Sequence, residues 1–179
     1  ALRAEGEGRV GMSKCSVGGP TLDDNYRAAF GICVADNATV AAAETRIGET
    51  LLGGLWVFDR GIARAEDCEF VRNDHHAVGL KDAAAVSLRR CGFAQHCGHF
   101  LQTLPDATQG RSYRSSLEVS GCTDFVGSRF PWLSDARPGL LVARGNNFDC
   151  RTEHELREEE MERYQDAAPT GGGAWIDAG

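Results

Sequence analysis

The sequence predicts an all-β protein, a right-handed parallel β-helix of about six turns with a helix capping its C-terminal end. Three observations predict it. A pattern apolar-x-apolar-x-x-Cys-x-apolar recurs along the chain, mostly in steps of 23 residues. A second apolar pair runs in phase with the first, upstream in each repeat. Within each short segment the apolar residues alternate with period two, the spacing of strands and not of helices.

The first series opens with Val10, Met12, Cys15 and Val17 and continues, with Thr in place of Cys, as Val40, Ala42, Thr45 and Ile47. Ala63, Ala65, Cys68 and Phe70 follow, then Val86, Leu88, Cys91 and Phe93. Leu117, Val119, Cys122 and Asp124 form a fifth copy, and Leu141, Ala143, Asn146 and Phe148 a sixth. The second series runs Ile32 and Val34, Leu55 and Val57, Val78 and Leu80, Leu101 and Thr103, then Trp132 and Ser134. Both series absorb the same insertion within Leu104–Ser116, and an earlier one falls within Gly18–Phe30. Three short strands per repeat, with Gly and Asn at the corners, make one turn that stacks on the next at roughly 4.8 Å. Six turns give a rod roughly 29 Å long. A leucine-rich repeat has a similar period, but its Leu-x-x-Leu-x-Leu signature is absent.

The Cys positions follow from this frame. Cys15, Cys68, Cys91 and Cys122 occupy one position of successive turns, and Thr45 and Asn146 occupy it in the other two. A small inward residue suits a corner between strands, and buried Cys behaves as a small hydrophobe. The competing reading is a metal or redox ladder. The seven Cys form no CxxC pair, and their odd number prevents complete pairing. No leader sequence is visible, so reduced, buried thiols are expected.

The C-terminal part reads differently. Residues 1–150 form the β-helix domain, 151–166 an acidic capping helix and 167–179 a Gly-rich tail. Thr152 and Glu155 make a capping box, and Leu156, Met161 and Tyr164 lie near one face. The helix covers an open end that would otherwise invite edge pairing. It carries a net charge of −4, against −2 for residues 1–150. Ala174, Trp175 and Ile176 form an apolar hook that docks on a partner or on its own chain.

The whole chain has 179 residues, a net charge of −7 and 42% apolar content. That composition excludes wholesale disorder and argues against a basic nucleic-acid-binding face. No run of roughly 18 apolar residues occurs, so no membrane-spanning helix is expected.

Two clusters bear on chemistry. Asp36, Asp59 and Asp82 step by 23 and should stack at one corner. Stacked carboxylates raise one another's pKa or hold a cation, as a polysaccharide lyase or hydrolase would require. Asp is equally a turn-former, tandem turns repeat their chemistry, and no Lys or Arg recurs beside the whole column as a base. His75, His76, His96, Cys97 and His99 lie close together with Asp74, and His76 and His99 are one repeat apart. They supply enough donors for zinc; the other reading is surface histidines on adjacent turns. No phosphate loop and no Gly-x-Ser-x-Gly elbow is present. No catalytic, cofactor-binding or metal-ligating residue is assigned, and no cofactor is expected.

A right-handed β-helix with turns of this length resembles the pectate-lyase-like superfamily. A narrower stretch runs from Cys97 and Gly98 through Leu101, Gln102, Thr103 and Asp106. It continues with Arg129, Phe130, Pro131 and Trp132 and ends at Asn146, Asn147 and Phe148. This order resembles the C-terminal half of the large early-region-1B protein of adenoviruses and the related trimeric β-helix knob proteins of atadenovirus capsids. The resemblance covers about residues 10–150 in rhythm and Cys97–Phe148 in motif. It implies a viral capsid or capsid-associated protein in the virion, assembled in the host nucleus. It further implies a trimer with itself or a paralogous β-helix chain, beside other capsid proteins.

The function expected is therefore non-enzymatic assembly, with no nucleic acid and no membrane as partner. Trp56, Trp132 and Trp175 are the interface candidates. Outward positions such as Ala41, Ala43 and Ala85 are small, and only two Lys, Lys14 and Lys81, guard the sheets. Two other readings stay open. One is a carbohydrate-active lyase or hydrolase using the Asp column. The other is an intracellular β-helix adaptor presenting loops to protein partners.

Overall fold

The computed structural model describes residues 1–18, 29–94, 101–103, 114–124, 140–147 and 174–177. Every regular element among them is a strand: β1 (Leu2–Ala4), β2 (Arg9–Ser13), β3 (Ser16–Gly18), β4 (Phe30–Val34), β5 (Thr39–Ala43), β6 (Arg46–Gly48), β7 (Gly53–Val57), β8 (Ile62–Glu66) and β9 (Glu69–Val71). The chain continues with β10 (His76–Leu80), β11 (Ala85–Arg89), β12 (Gly92–Ala94), β13 (Leu101–Thr103), β14 (Ser116–Ser120), β15 (Thr123–Asp124), β16 (Leu140–Arg144) and β17 (Ala174–Asp177).

The strands form three parallel sheets. Sheet A is β1-β4-β7-β10-β13, sheet B is β2-β5-β8-β11-β14-β16-β17, and sheet C is β3-β6-β9-β12-β15. From β1 to β15 the chain visits A, B and C in turn and returns to A one strand further on, which is the winding of a parallel β-solenoid. The 23-residue step of the sequence is the register itself. Leu55 pairs with Val78, Ala63 with Val86, and Phe70 with Phe93.

The alternating apolar residues fill the interior. Ile32, Val34, Leu55, Val57, Val78 and Leu80 enter from sheet A, and Val40, Val86, Leu88, Leu117 and Val119 from sheet B. Ile47, Phe70 and Phe93 enter from sheet C, and the two Phe rings stack with centroids 5.3 Å apart. At the first coil Leu2, Val10, Met12 and Val17 are only partly buried, because no strand among the described residues lies beneath β1, β2 or β3.

The corners are built on left-handed backbone. Gly6, Asp36, Asp59 and Asp82 hold φ between 55° and 66° at the corner from A to B. Lys14, Glu44, Asp67, Arg90, Gly121 and Gly145 hold φ between 47° and 61° at the corner from B to C. Each non-glycine there costs roughly 1 kcal/mol of strain, offset by hydrogen bonds between coils. The Glu44 N–H donates to Glu66 O and the Asp67 N–H to Arg89 O, both at 3.0 Å.

Sheet A departs from strict alternation. A Cβ on Gly31 would lie 3.0 Å from Ile47 Cγ2, and one on Gly54 would lie 3.1 Å from Phe70 Cδ1, so these positions face the interior beside Ile32 and Leu55. The strand bends as it leaves the corner, and small residues make room for the bend. Phe30, Gly53 and His76, one residue earlier, therefore belong to the outer face.

The predicted capping helix at 151–166 and the run 167–173 lie outside the described residues. Ala174–Asp177, within the predicted tail, forms β17 and adds a strand to sheet B.

Candidate functional site

The outer face of sheet A carries an aromatic platform. Phe30, Gly53 and His76 align across β4, β7 and β10, and Cys33, Trp56 and Gly79 align further along the same strands. The Trp56 ring lies 5.6 Å from Phe30, nearly parallel to it, and 5.3 Å from His76, centroid to centroid. Glycine makes this packing possible. A Cβ on Gly53 would collide with the His76 ring, and one on Gly79 with the Trp56 ring. His76 is only 5% exposed, while Phe30 and Trp56 stay half-buried.

Polar ladders fix the loops that lead into the platform. The Thr50 hydroxyl donates to Asn73 Oδ1 at 2.7 Å, one repeat away, with both side chains buried. The His76 N–H donates to Leu52 O at 3.1 Å. Leu51 and Leu52, just before β7, are 41% and 42% exposed and extend the apolar surface. Cys33 sits between Arg3 and Trp56 in register, and burial raises its thiol pKa. Aromatic rings over a glycine shelf can stack on apolar or planar groups of a partner.

Trp56 is thus on the outer face, as the alternation predicts, but in a cluster and not alone. Trp132 lies outside the described residues. Trp175 lies on β17 opposite Leu141, at the register position that continues the column Val10, Val40, Ala63, Val86, Leu117 and Leu141.

The Asp column is a backbone-satisfying ladder. The Gly6 N–H donates to Asp36 Oδ2 at 2.9 Å, the Asp36 N–H to Asp59 Oδ2 and the Asp59 N–H to Asp82 Oδ2, both at 3.4 Å. Each carboxylate serves the coil below it, and Lys81 Nζ lies 3.9 Å from Asp82 Oδ1. Left-handed geometry selects Asp here, since its short side chain tolerates that region and bonds locally.

The histidines divide. His75 is exposed, and its ring lies 6.1 Å from that of His76, which belongs to the platform. His96, Cys97 and His99 lie outside the described residues. Among the described residues no three His, Cys, Asp or Glu side chains converge as metal ligands.

The Cys column is buried at Cys68, Cys91 and Cys122, all free thiols. The Cys91 sulfur lies 3.4 Å from Ala65 O and 3.5 Å from Arg89 O, hydrogen-bonding to both. Its contact with Cys122, then burial, push the Cys91 thiol up to about 12, and hydrogen bonding to Cys91 with burial raises Cys68 as well. Cys68 and Cys91 are therefore poor nucleophiles at neutral pH, while the same contact lowers Cys122. Cys15 corrects the expectation of burial along the whole column. It is exposed, because it belongs to the first coil and no coil covers it among the described residues.

No protein-family model, curated protein or solved structure matches the chain. Sequence reasoning missed the platform's other members. Their signal was present as a third step of 23, from Phe30 through Gly53 to His76, hidden because the residue types differ.

Proposed function

We propose that this protein is a non-enzymatic β-solenoid that works by assembly, three copies or paralogous chains packing through sheet A. Our reading of the whole is a right-handed rod of about six turns, closed at one end by a helix over 151–166. One observation carries the assembly reading: Trp56, buttressed by Phe30 and His76 over Gly53 and Gly79, leaves a rigid, half-buried aromatic surface beside exposed Leu51 and Leu52. Large aromatics held in this way are the side chains that anchor interfaces. The Asp carboxylates are engaged by backbone amides, which favours a structural role over lyase or hydrolase chemistry. The capsid or capsid-associated role rests on the resemblance of Cys97–Phe148 to adenoviral β-helix proteins.

Light scattering over a concentration series tests the reading. The expected mass is a multiple of three times the 19.3 kDa chain. Trp56→Ala should weaken that association by on the order of 2 kcal/mol. A chain that never reaches three copies, with no co-purifying paralogue, overturns the trimer.

A further inference from the structure

The outer face of sheet B has an ordered composition. Its seven strands place β11 at the centre, with β14, β16 and β17 on one side and β8, β5 and β2 on the other. The middle outward column reads Gly11, Ala41, Arg64, Ser87, Glu118 and Val142, with Ile176 at the seventh register position. The order is matched about Ser87. Arg64 stands one strand before it and Glu118 one strand after; Ala41 and Val142 stand two strands away, Gly11 and Ile176 three.

Two further observations single out this face. Ile62 and Leu140 lie in the neighbouring outward column at 37% and 42% exposure. The small residues Gly11, Ala41 and Ala43 floor a shallow cavity of about 590 Å³ walled by Arg64 and Arg89. Arg64 makes no hydrogen bond or ion pair with any described residue, and Glu118 has only the Ser87 hydroxyl, at 3.4 Å.

We propose that this face binds the same face of a second copy of the chain, the two solenoids side by side with their axes antiparallel. The two-fold axis runs along β11, between the two faces. Such an axis preserves strand direction and reverses strand order. It sets Arg64 against Glu118 of the second copy, and Glu118 against its Arg64. Ala41 meets the Val142 position, Gly11 meets the Ile176 position, and Ser87 meets itself. All seven strands then overlap. The parallel alternative sets Arg64 on Arg64 and Glu118 on Glu118, so charge selects the antiparallel one. At the edge Arg89 meets its own copy, and within each chain the Glu66 carboxylate, 3.8 Å from Arg89 Nε and shared with Arg90, offsets part of that repulsion.

The footprint is about 29 Å by 17 Å, small for a stable dimer, so the association is weak and reversible. It uses other residues than the sheet A platform, and its test does not depend on the trimer.

The test is sedimentation velocity of the full chain over a wide concentration range, both as it stands and carrying Trp56→Ala to weaken the sheet A contact. In the Trp56→Ala background a reversible monomer–dimer equilibrium is expected. Arg64→Glu or Glu118→Arg alone sets like charges together and should weaken the dimer on the order of tenfold or more. The two substitutions combined in one chain restore opposite charges and should restore the dimer. Both side chains are exposed, and unchanged thermal melts would show that the fold survives each swap. A monomer at every concentration overturns the proposal, as does a dimer indifferent to the single swaps or not rescued by the double one.

Discussion

Cys68, Cys91 and Cys122 stack inside the corner between sheets B and C, whereas Asp36, Asp59 and Asp82 line the outside of the corner between A and B. Asp36, Asp59 and Asp82, like Cys68 and Cys91, step by 23, and both columns invite a chemical reading, one as a redox or metal ladder, the other as a row of catalytic acids. In the structure each column serves the backbone. The thiols fill space and donate to carbonyls of neighbouring coils; the carboxylates accept from amides of the coil below. In a solenoid, recurrence marks a shared geometric demand, and a reacting site would more naturally break the repeat.

The two columns differ in what their loss should do. The interior is close-packed, and the corner is wet. Phe93, fully buried and stacked on Phe70, measures the interior. Phe93→Ala should lower stability by about 3–5 kcal/mol in urea unfolding, the range for emptying an aromatic site in a core. A loss no greater than that of an exposed corner substitution would erase the distinction between the two regions.

The next effect comes from the thiols. An unfolded Cys titrates near 9, whereas Cys91 in the fold is pushed up to about 12 by its contact with Cys122 and by burial. Between these values the unfolded chain releases a proton that the folded chain keeps. Stability should therefore fall as pH rises above 9 through the raised Cys68 and Cys91 thiols, with the lowered Cys122 thiol, the other partner of the Cys91 contact, offsetting part of the loss. Urea titrations from pH 8 to 10.5 would show the slope, and Cys91→Ala should make it shallower, leaving the part due to burial of Cys68. Thiol labelling of the folded protein near pH 8 should modify exposed Cys15 quickly and leave Cys68, Cys91 and Cys122 protected. Labelling of the three at the rate of Cys15 would mean that the interior column is open to solvent.

Much of this architecture was legible because period-two alternation within a 23-residue step admits few folds. The interior columns, the Cys column and the position of Trp56 follow from that pattern alone. The corners were less legible. Left-handed backbone accepts Lys, Glu, Asp, Arg and Gly, so Lys14, Glu44, Asp67, Arg90 and Gly121 share one conformation without sharing a residue type. The bend at Gly31, Gly54 and Ala77 was hidden because it places two consecutive residues inward, which alternation forbids. The platform of Phe30, Trp56 and His76 depends on that bend. The match of sheet B about Ser87 needed the register of strands on both sides of an insertion.

The smallest effect is the sharpest test of the corner. Asp59 holds φ at 56° and accepts from the Asp36 amide at 3.4 Å, so it contributes a strained backbone and one hydrogen bond. The two contributions separate by substitution. Asp59→Ala loses the acceptor and keeps the strain of a side chain in the left-handed region, and should cost about 1–2 kcal/mol. Asp59→Gly loses the same acceptor and relieves the strain, so it should cost less than Ala although Gly is the more flexible in the unfolded chain. Asp59→Asn keeps both an acceptor oxygen and the tolerance for positive φ, and should be nearly neutral. The order Ala, then Gly, then Asn would establish the column as backbone chemistry. A loss for Asn as large as for Ala would show instead that the negative charge itself matters, and would return the Asp column to the candidates for binding or catalysis.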